Sequence, residues 1–206
     1  MTFRHWVALA AGVMGCAHEA SAPPPASAPG PASAGKIPDS ARYLPLAVGN
    51  HWTYDATLLR ERSTRRVAVI AFRDGSYVDN DGRILRVDRE GVRDQVRYLL
   101  HEPVAAGATW TSVVAPGSAE HYRILSVRSP CEVPAGKFPD CVEVESRTIA
   151  DPSTPGRLLV NRMTFAAGVG IVRVRTALEE GAKSAPQAEL VLTSFEVATP
   201  SPLPLR

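Results

Sequence analysis

From Tyr43 to Val197, apolar and polar side chains alternate with a period of two, the signature of strands that bury one face. Tyr122-Arg123-Ile124-Leu125-Ser126-Val127-Arg128 and Cys141-Val142-Glu143-Val144-Glu145-Ser146 follow it closely. Gly170-Ile171-Val172-Arg173-Val174-Arg175-Thr176 does the same and sets Arg173 and Arg175 on a solvent face. Arg66-Val67-Ala68-Val69-Ile70-Ala71-Phe72-Arg73 is apolar without a break and reads as a buried strand, and residues 189–197 predict the last strand. Asp-Gly pairs in Arg73-Asp74-Gly75-Ser76 and Asn80-Asp81-Gly82-Arg83 mark hairpin turns. The expected fold is therefore all-β: an antiparallel curved sheet, closed as an open barrel or stacked as a sandwich. Residues 88–101 fit two patterns. Val92, Val96, Leu99 and Leu100 have helical spacing, whereas Val92, Asp94, Val96, Tyr98 and Leu100 form a strand face, and the neighbouring strands favour the second.

One segment occurs twice. Pro45-Leu46-Ala47-Val48-Gly49-Asn50-His51-Trp52-Thr53 returns as Pro103-Val104-Ala105-Ala106-Gly107-Ala108-Thr109-Trp110-Thr111, at a constant offset of 58 residues. Val133-Pro134-Ala135-Gly136-Lys137-Phe138 is a shorter relative. Pro ends one element, Gly permits a tight turn, and the aromatic enters a strand and packs inward. Trp52 and Trp110 are thus expected in the core. The sharper alternative makes them a paired ligand platform.

The amino-terminal part has a different composition. Arg4 and His5 precede the apolar run of residues 6–14, too short to span a bilayer but suited to a signal-peptide core. The run ends in Val13-Met14-Gly15-Cys16, which resembles the lipobox of bacterial lipoproteins. That resemblance implies cleavage before Cys16, a diacylglyceryl thioether on its sulfur and acylation of the new amino terminus, an anchor that holds without a spanning helix. An ordinary secretory signal cut near Ala17 or Ala20 is the alternative. In residues 17–40, 19 of 24 side chains are Ala, Pro, Ser or Gly, which predicts a disordered tether of polyproline character. Such a tether reaches about 75 Å. The expected organisation is a signal peptide at 1–15, lipidated Cys16 with a linker through residue 40, a β domain at 41–198 and a disordered tail at 199–206.

Net charge narrows the partners. With 23 basic and 21 acidic residues in 206, nothing favours nucleic acid. Arg outnumbers Lys by 20 to 3; since Ala and Pro are abundant too, GC-rich codon usage accounts for the bias better than a dedicated anion surface.

Tyr43-Leu44-Pro45-Leu46-Ala47-Val48-Gly49-Asn50-His51-Trp52-Thr53-Tyr54 resembles the opening of a group of uncharacterised bacterial lipoproteins. These share a Tyr-x-Pro-Leu-x-x-Gly-Asn-x-Trp-x-Tyr start, then a stretch like Val133–Phe138, a cysteine such as Cys141, and a Gly-Val-Gly strand like Gly168-Val169-Gly170. The resemblance covers roughly residues 43–175 and implies an envelope location, outer-membrane sorting being favoured by Ala17 rather than Asp after Cys16. It implies no catalytic residue.

If Cys16 is lipidated, Cys131 and Cys141 remain as an even pair, and the nine-residue spacer with its Pro and Gly can double back to form a disulfide. No metal site is expected: His5 and His18 precede the β domain, and His51, His101 and His121 share no ligand-spaced motif. Asp79-Asn80-Asp81-Gly82 superficially matches the start of a calcium loop but lacks the downstream Glu spacing, and reads as a polar turn. No Gly-x-Ser-x-Gly elbow occurs. Glu179-Glu180 reads as a solvated turn, and Arg60, Arg62, Arg65 and Arg66 as a charged hairpin end. No cofactor is expected. The leading functional expectation is a non-enzymatic, lipid-anchored envelope protein with a structural or interaction role, its partners the membrane and an envelope protein. The alternatives are a carrier or sensor enclosing an apolar ligand, and an enzyme of unknown class.

Overall fold

The computed structural model describes residues 37–154 and 156–198. The proposed signal, Cys16, most of the tether and the tail lie outside the described residues. A short 3-10 helix, Asp39–Tyr43, opens the described chain. Although the composition extends the tether through residue 40, Ser40 is fully buried and its amide donates to Glu102 Oε1 at 2.7 Å, so the packed domain begins there.

Twelve antiparallel strands follow: β1 (His51–Leu58), β2 (Glu61–Arg73), β3 (Ser76–Asp79), β4 (Ile84–Asp88), β5 (Gly91–Arg93), β6 (Tyr98–His101), β7 (Thr109–Ala115), β8 (Ser118–Val133), β9 (Gly136–Ile149), β10 (Arg157–Ala166), β11 (Gly170–Glu180) and β12 (Lys183–Glu196). Their lateral order is β6-β5-β4-β3-β2-β1-β12-β11-β10-β9-β8-β7. Two meanders, β1 to β6 and β7 to β12, are thus joined by β1 against β12. The two free edges, β6 and β7, are consecutive in the chain, and the sheet curls into a nearly closed barrel.

The repeated segments head the two meanders and make the same turn. Asn50 N donates to the Ala47 carbonyl and Ala108 N to the Ala105 carbonyl, each at 3.1 Å. Gly49 N donates to the Val69 carbonyl at 2.9 Å, and Gly107 N to the Ile124 carbonyl at 2.8 Å. Gly49 and Gly107 have φ of 98° and 86°, values in the region where Gly alone escapes the Cβ penalty.

Two apolar clusters fill the interior. One gathers Trp52, Tyr54, Val69, Val133, Cys141, Val172 and Leu192. The other gathers Tyr43, Leu100, Tyr122, Ile124, Val142, Val144 and Phe165. Two local expectations change and one is borne out. In β2 only Val69 is buried, while Ile70 and Phe72 lie on the surface, because successive side chains of a strand alternate between faces and these two point away from the core. Residues 88–101 follow the favoured strand pattern and contain no helix, as two strands, β5 and β6, separated by a turn that Asp94 holds by accepting from Val96 N and Arg97 N, each at 2.9 Å. Glu179 and Glu180 end β11 instead of forming a turn.

Candidate functional site: a charged ladder across the sheet

Of the residues singled out by sequence, Cys131 and Cys141 are brought together as a disulfide with a Cα separation of 6.1 Å. They lie on the paired strands β8 and β9 near the hairpin tip. Cys16 lies outside the described residues. Trp52 and Trp110 do not share a surface. Trp52 is buried in the first cluster and donates from Nε1 to the Val169 carbonyl at 2.6 Å. Trp110 is half-buried against the second cluster, stacked on Tyr122 at 4.9 Å and on His101 at 5.8 Å. The Gly-Asn pair of the opening motif is also engaged: buried Asn50 donates to the Pro45 carbonyl at 2.9 Å and accepts from Ala198 N at 2.9 Å, tying the chain's entry to its exit.

The remaining candidates are dispersed. Asp79 closes a polar turn by accepting from Asp81 N and Arg83 N. Arg65 pairs with Asp81, and Arg60 and Arg62 flank the β1–β2 turn. Among the described residues no group of three His, Cys, Asp or Glu side chains could hold a metal ion.

The register builds a site that local pattern did not reveal. Antiparallel partners share a face, so Arg123, Glu145, Arg162, Arg175 and Glu189 form one continuous row across β8 to β12. His121 and Arg147 pair in the adjoining row. The opposite face of the same strands carries the buried Tyr122, Ile124 and Val144. Glu145 is the hub: Oε1 accepts from Arg147 Nε at 2.7 Å and Oε2 from Arg162 Nε at 2.9 Å. Burial opposes ionisation of Glu145, but the two guanidinium hydrogen bonds outweigh it and hold the carboxyl below its usual range. Arg147 also reaches Glu179 at 3.3 Å, and Arg175 reaches Glu189 at 3.1 Å.

Two open depressions lie along this face. One, of 640 Å³, is lined by Thr109, Thr111, His121, Arg123, Glu145 and Arg147 together with Trp110 and Tyr122. The other, of 380 Å³, runs over β10 to β12 beside Arg162, Arg175, Glu179 and Glu189. Their polar walls suit recognition of charged or hydroxylated groups. Alternation in Tyr122–Arg128 and Cys141–Ser146 exposed these charges as candidates, but only the cross-strand register aligns them.

No family model matches the chain, and no curated protein matches it. Two solved structures are similar in fold. One is a presumed exported protein with a YmcC-like fold from Bacteroides fragilis, 13% identical, with a TM-score of 0.48 over 74% of this chain and 98% of that one. The other is a presumed lipoprotein from Parabacteroides distasonis, 13% identical, with a TM-score of 0.41 over 75% of this chain and 98% of that one. At such distance these likenesses say nothing of function.

Proposed function

We propose that this chain is a bacterial envelope lipoprotein, acylated at Cys16 and sorted to the outer membrane, whose tethered β domain has a non-enzymatic structural or interaction role. The observation that carries this reading is the Cys131–Cys141 disulfide, because such bonds persist in oxidising, extracytoplasmic compartments. Val13-Met14-Gly15-Cys16 supplies the attachment point, and membership of the lipoprotein group with the Tyr-x-Pro-Leu-x-x-Gly-Asn-x-Trp-x-Tyr opening belongs to the same proposal. An interaction role fits better than carriage of an apolar ligand, since Leu100, Ile124, Val142, Phe165 and Leu192 occupy the interior with no exposed surface. It also fits better than catalysis: the most deeply placed carboxylate of the charged ladder, Glu145, has both oxygens committed to arginines.

The anchor is tested by growing cells with an alkyne-palmitate. The native chain is expected to be labelled and processed, and Cys16→Ser to be unlabelled and to keep its signal. Equal labelling of the variant would remove the anchor from the proposal.

A further inference from the structure

We infer that the depression between β7, β8 and β9 is a binding site for a phosphate ester that also carries hydroxyl groups. The register places His121 directly opposite Arg147 and sets Arg123 on the diagonal from Arg147. Diagonal neighbours across a ladder lie about 7–8 Å apart, within reach of long side chains. Three basic side chains therefore converge on two adjacent strands. The one carboxylate lining the depression, Glu145, stands opposite Arg123 but gives its hydrogen bonds to Arg147 and Arg162, one oxygen each, and Arg147 also pairs with Glu179. Arg123 is exposed and has no ion-pair or hydrogen-bond partner among the described residues. A guanidinium whose donors are all free at the wall of an open depression can take an anion from outside.

The geometry points to phosphate. A tetrahedral phosphate ester, whether mono- or diester, holds its terminal oxygens apart in space, so that guanidiniums on two different strands can each engage one. Arg123 and the remaining amino group of Arg147 supply donors from two strands. At 640 Å³ the space exceeds what a bare oxyanion needs, and Thr109 and Thr111 line it with hydroxyls beside His121, whose Nδ1 lies 3.1 Å from Thr111 Oγ1. These groups suit hydroxyls on the ester's substituent. The same chemistry occurs in a soluble sugar or glycerol phosphate and in an anionic phospholipid headgroup.

The test uses the full chain in neutral detergent micelles, titrated with glycerol 3-phosphate, with glycerol, with sodium sulfate, and with micelles doped with phosphatidylglycerol. Binding is read by calorimetry and by the emission of Trp110, which borders the depression. Glycerol 3-phosphate or phosphatidylglycerol is expected to bind, and glycerol not to bind. Saturation by the soluble ester assigns a soluble ligand; saturation by the doped micelle alone assigns a lipid headgroup. Arg123→Ala should weaken binding about tenfold or more while leaving the melting temperature unchanged, as loss of one charge-assisted contact requires. Arg62→Ala, which removes an exposed cation elsewhere, should bind like the native chain. Equal affinity in Arg123→Ala, sulfate binding as tightly as the ester, or no binding of either phosphate probe would each overturn the site.

Discussion

Trp52 shows how one side chain can serve several distant segments at once. Its ring lies in the first cluster, its Nε1 reaches Val169 across 117 residues of sequence, and the chain passes close by at Gly170. A Cβ at Gly170 would stand 3.1 Å from Trp52 Nε1, so the Gly-Val-Gly strand and the opening motif are two sides of one contact. Trp110 occupies the equivalent place in the repeat, yet it is half-buried and packs at the sheet's free edge. The two tryptophans should therefore behave differently. Trp52→Ala is expected to cost about 3–5 kcal/mol in urea unfolding, the usual loss for a large core aromatic, and Trp110→Ala less. In Trp52→Phe the remaining emission should be redder and more readily quenched by iodide than that of Trp110→Phe, measured on signal-processed protein that has lost Trp6. Near-native stability of Trp52→Ala would refute the core assignment.

At the scale of elements, the long β8–β9 hairpin does more than extend the sheet. Beyond the bulges after Ile124 it bends at Arg128, whose φ is 52°, and its tip crosses to β12. There Ala135 N donates to the Leu192 carbonyl at 3.1 Å, and Arg173 Nη2 to the Glu132 carbonyl at 3.2 Å. The disulfide spans the hairpin just behind this tip. Replacing both cysteines with Ala should cost about 2–3 kcal/mol, the range for a short closed loop, and should accelerate amide exchange at the tip more than in β10 and β11. Uniform acceleration would mean the bond braces the whole domain and not the tip. The strands and the candidate cysteine pair were legible in the sequence because alternation, Asp-Gly turns and Cys spacing are local signals. Register is not local. Arg123, Glu145, Arg162 and Arg175 are spread over more than 50 residues, and only pairing of four strands puts them in a row. Apolar runs also mislead where one face of the strand looks outward, as Ile70 and Phe72 show. The segment at 88–101 failed to announce itself because β5 and β6 have only three and four residues, too few for either period to dominate.

For the molecule as a whole, the decisive feature is the seam between β6 and β7, where the sheet's two edges meet without a backbone ladder. Side chains close it. Trp110 Nε1 donates to the Tyr98 carbonyl at 3.1 Å, and Arg97 Nη1 reaches Glu120 of β8 at 2.6 Å. Glu120 also accepts from Tyr122, whose hydroxyl is pushed up in pKa first by burial and then by this bond. On its other side the backbone ladder between β3 and β4 joins the flap β4–β6 to the barrel through two residue pairs, Tyr77 with Leu85 and Val78 with Ile84, reinforced by Arg86 donating to Ser76 Oγ. Yet the flap carries Val92 and Leu100, both fully buried, and through Leu100 its closure completes the second cluster. An element with few ladder bonds and a buried apolar face should open before the rest unfolds. Trp110→Phe keeps an aromatic ring and removes the bond to Tyr98, a loss of about 1 kcal/mol, or about fivefold in the opening equilibrium. Hydrogen exchange followed by mass spectrometry should show that increase in peptides spanning residues 91–101, with peptides from β9 to β11 unchanged. Equal acceleration in both regions would mean that the barrel opens as one unit and that the seam is no weaker than its ladders.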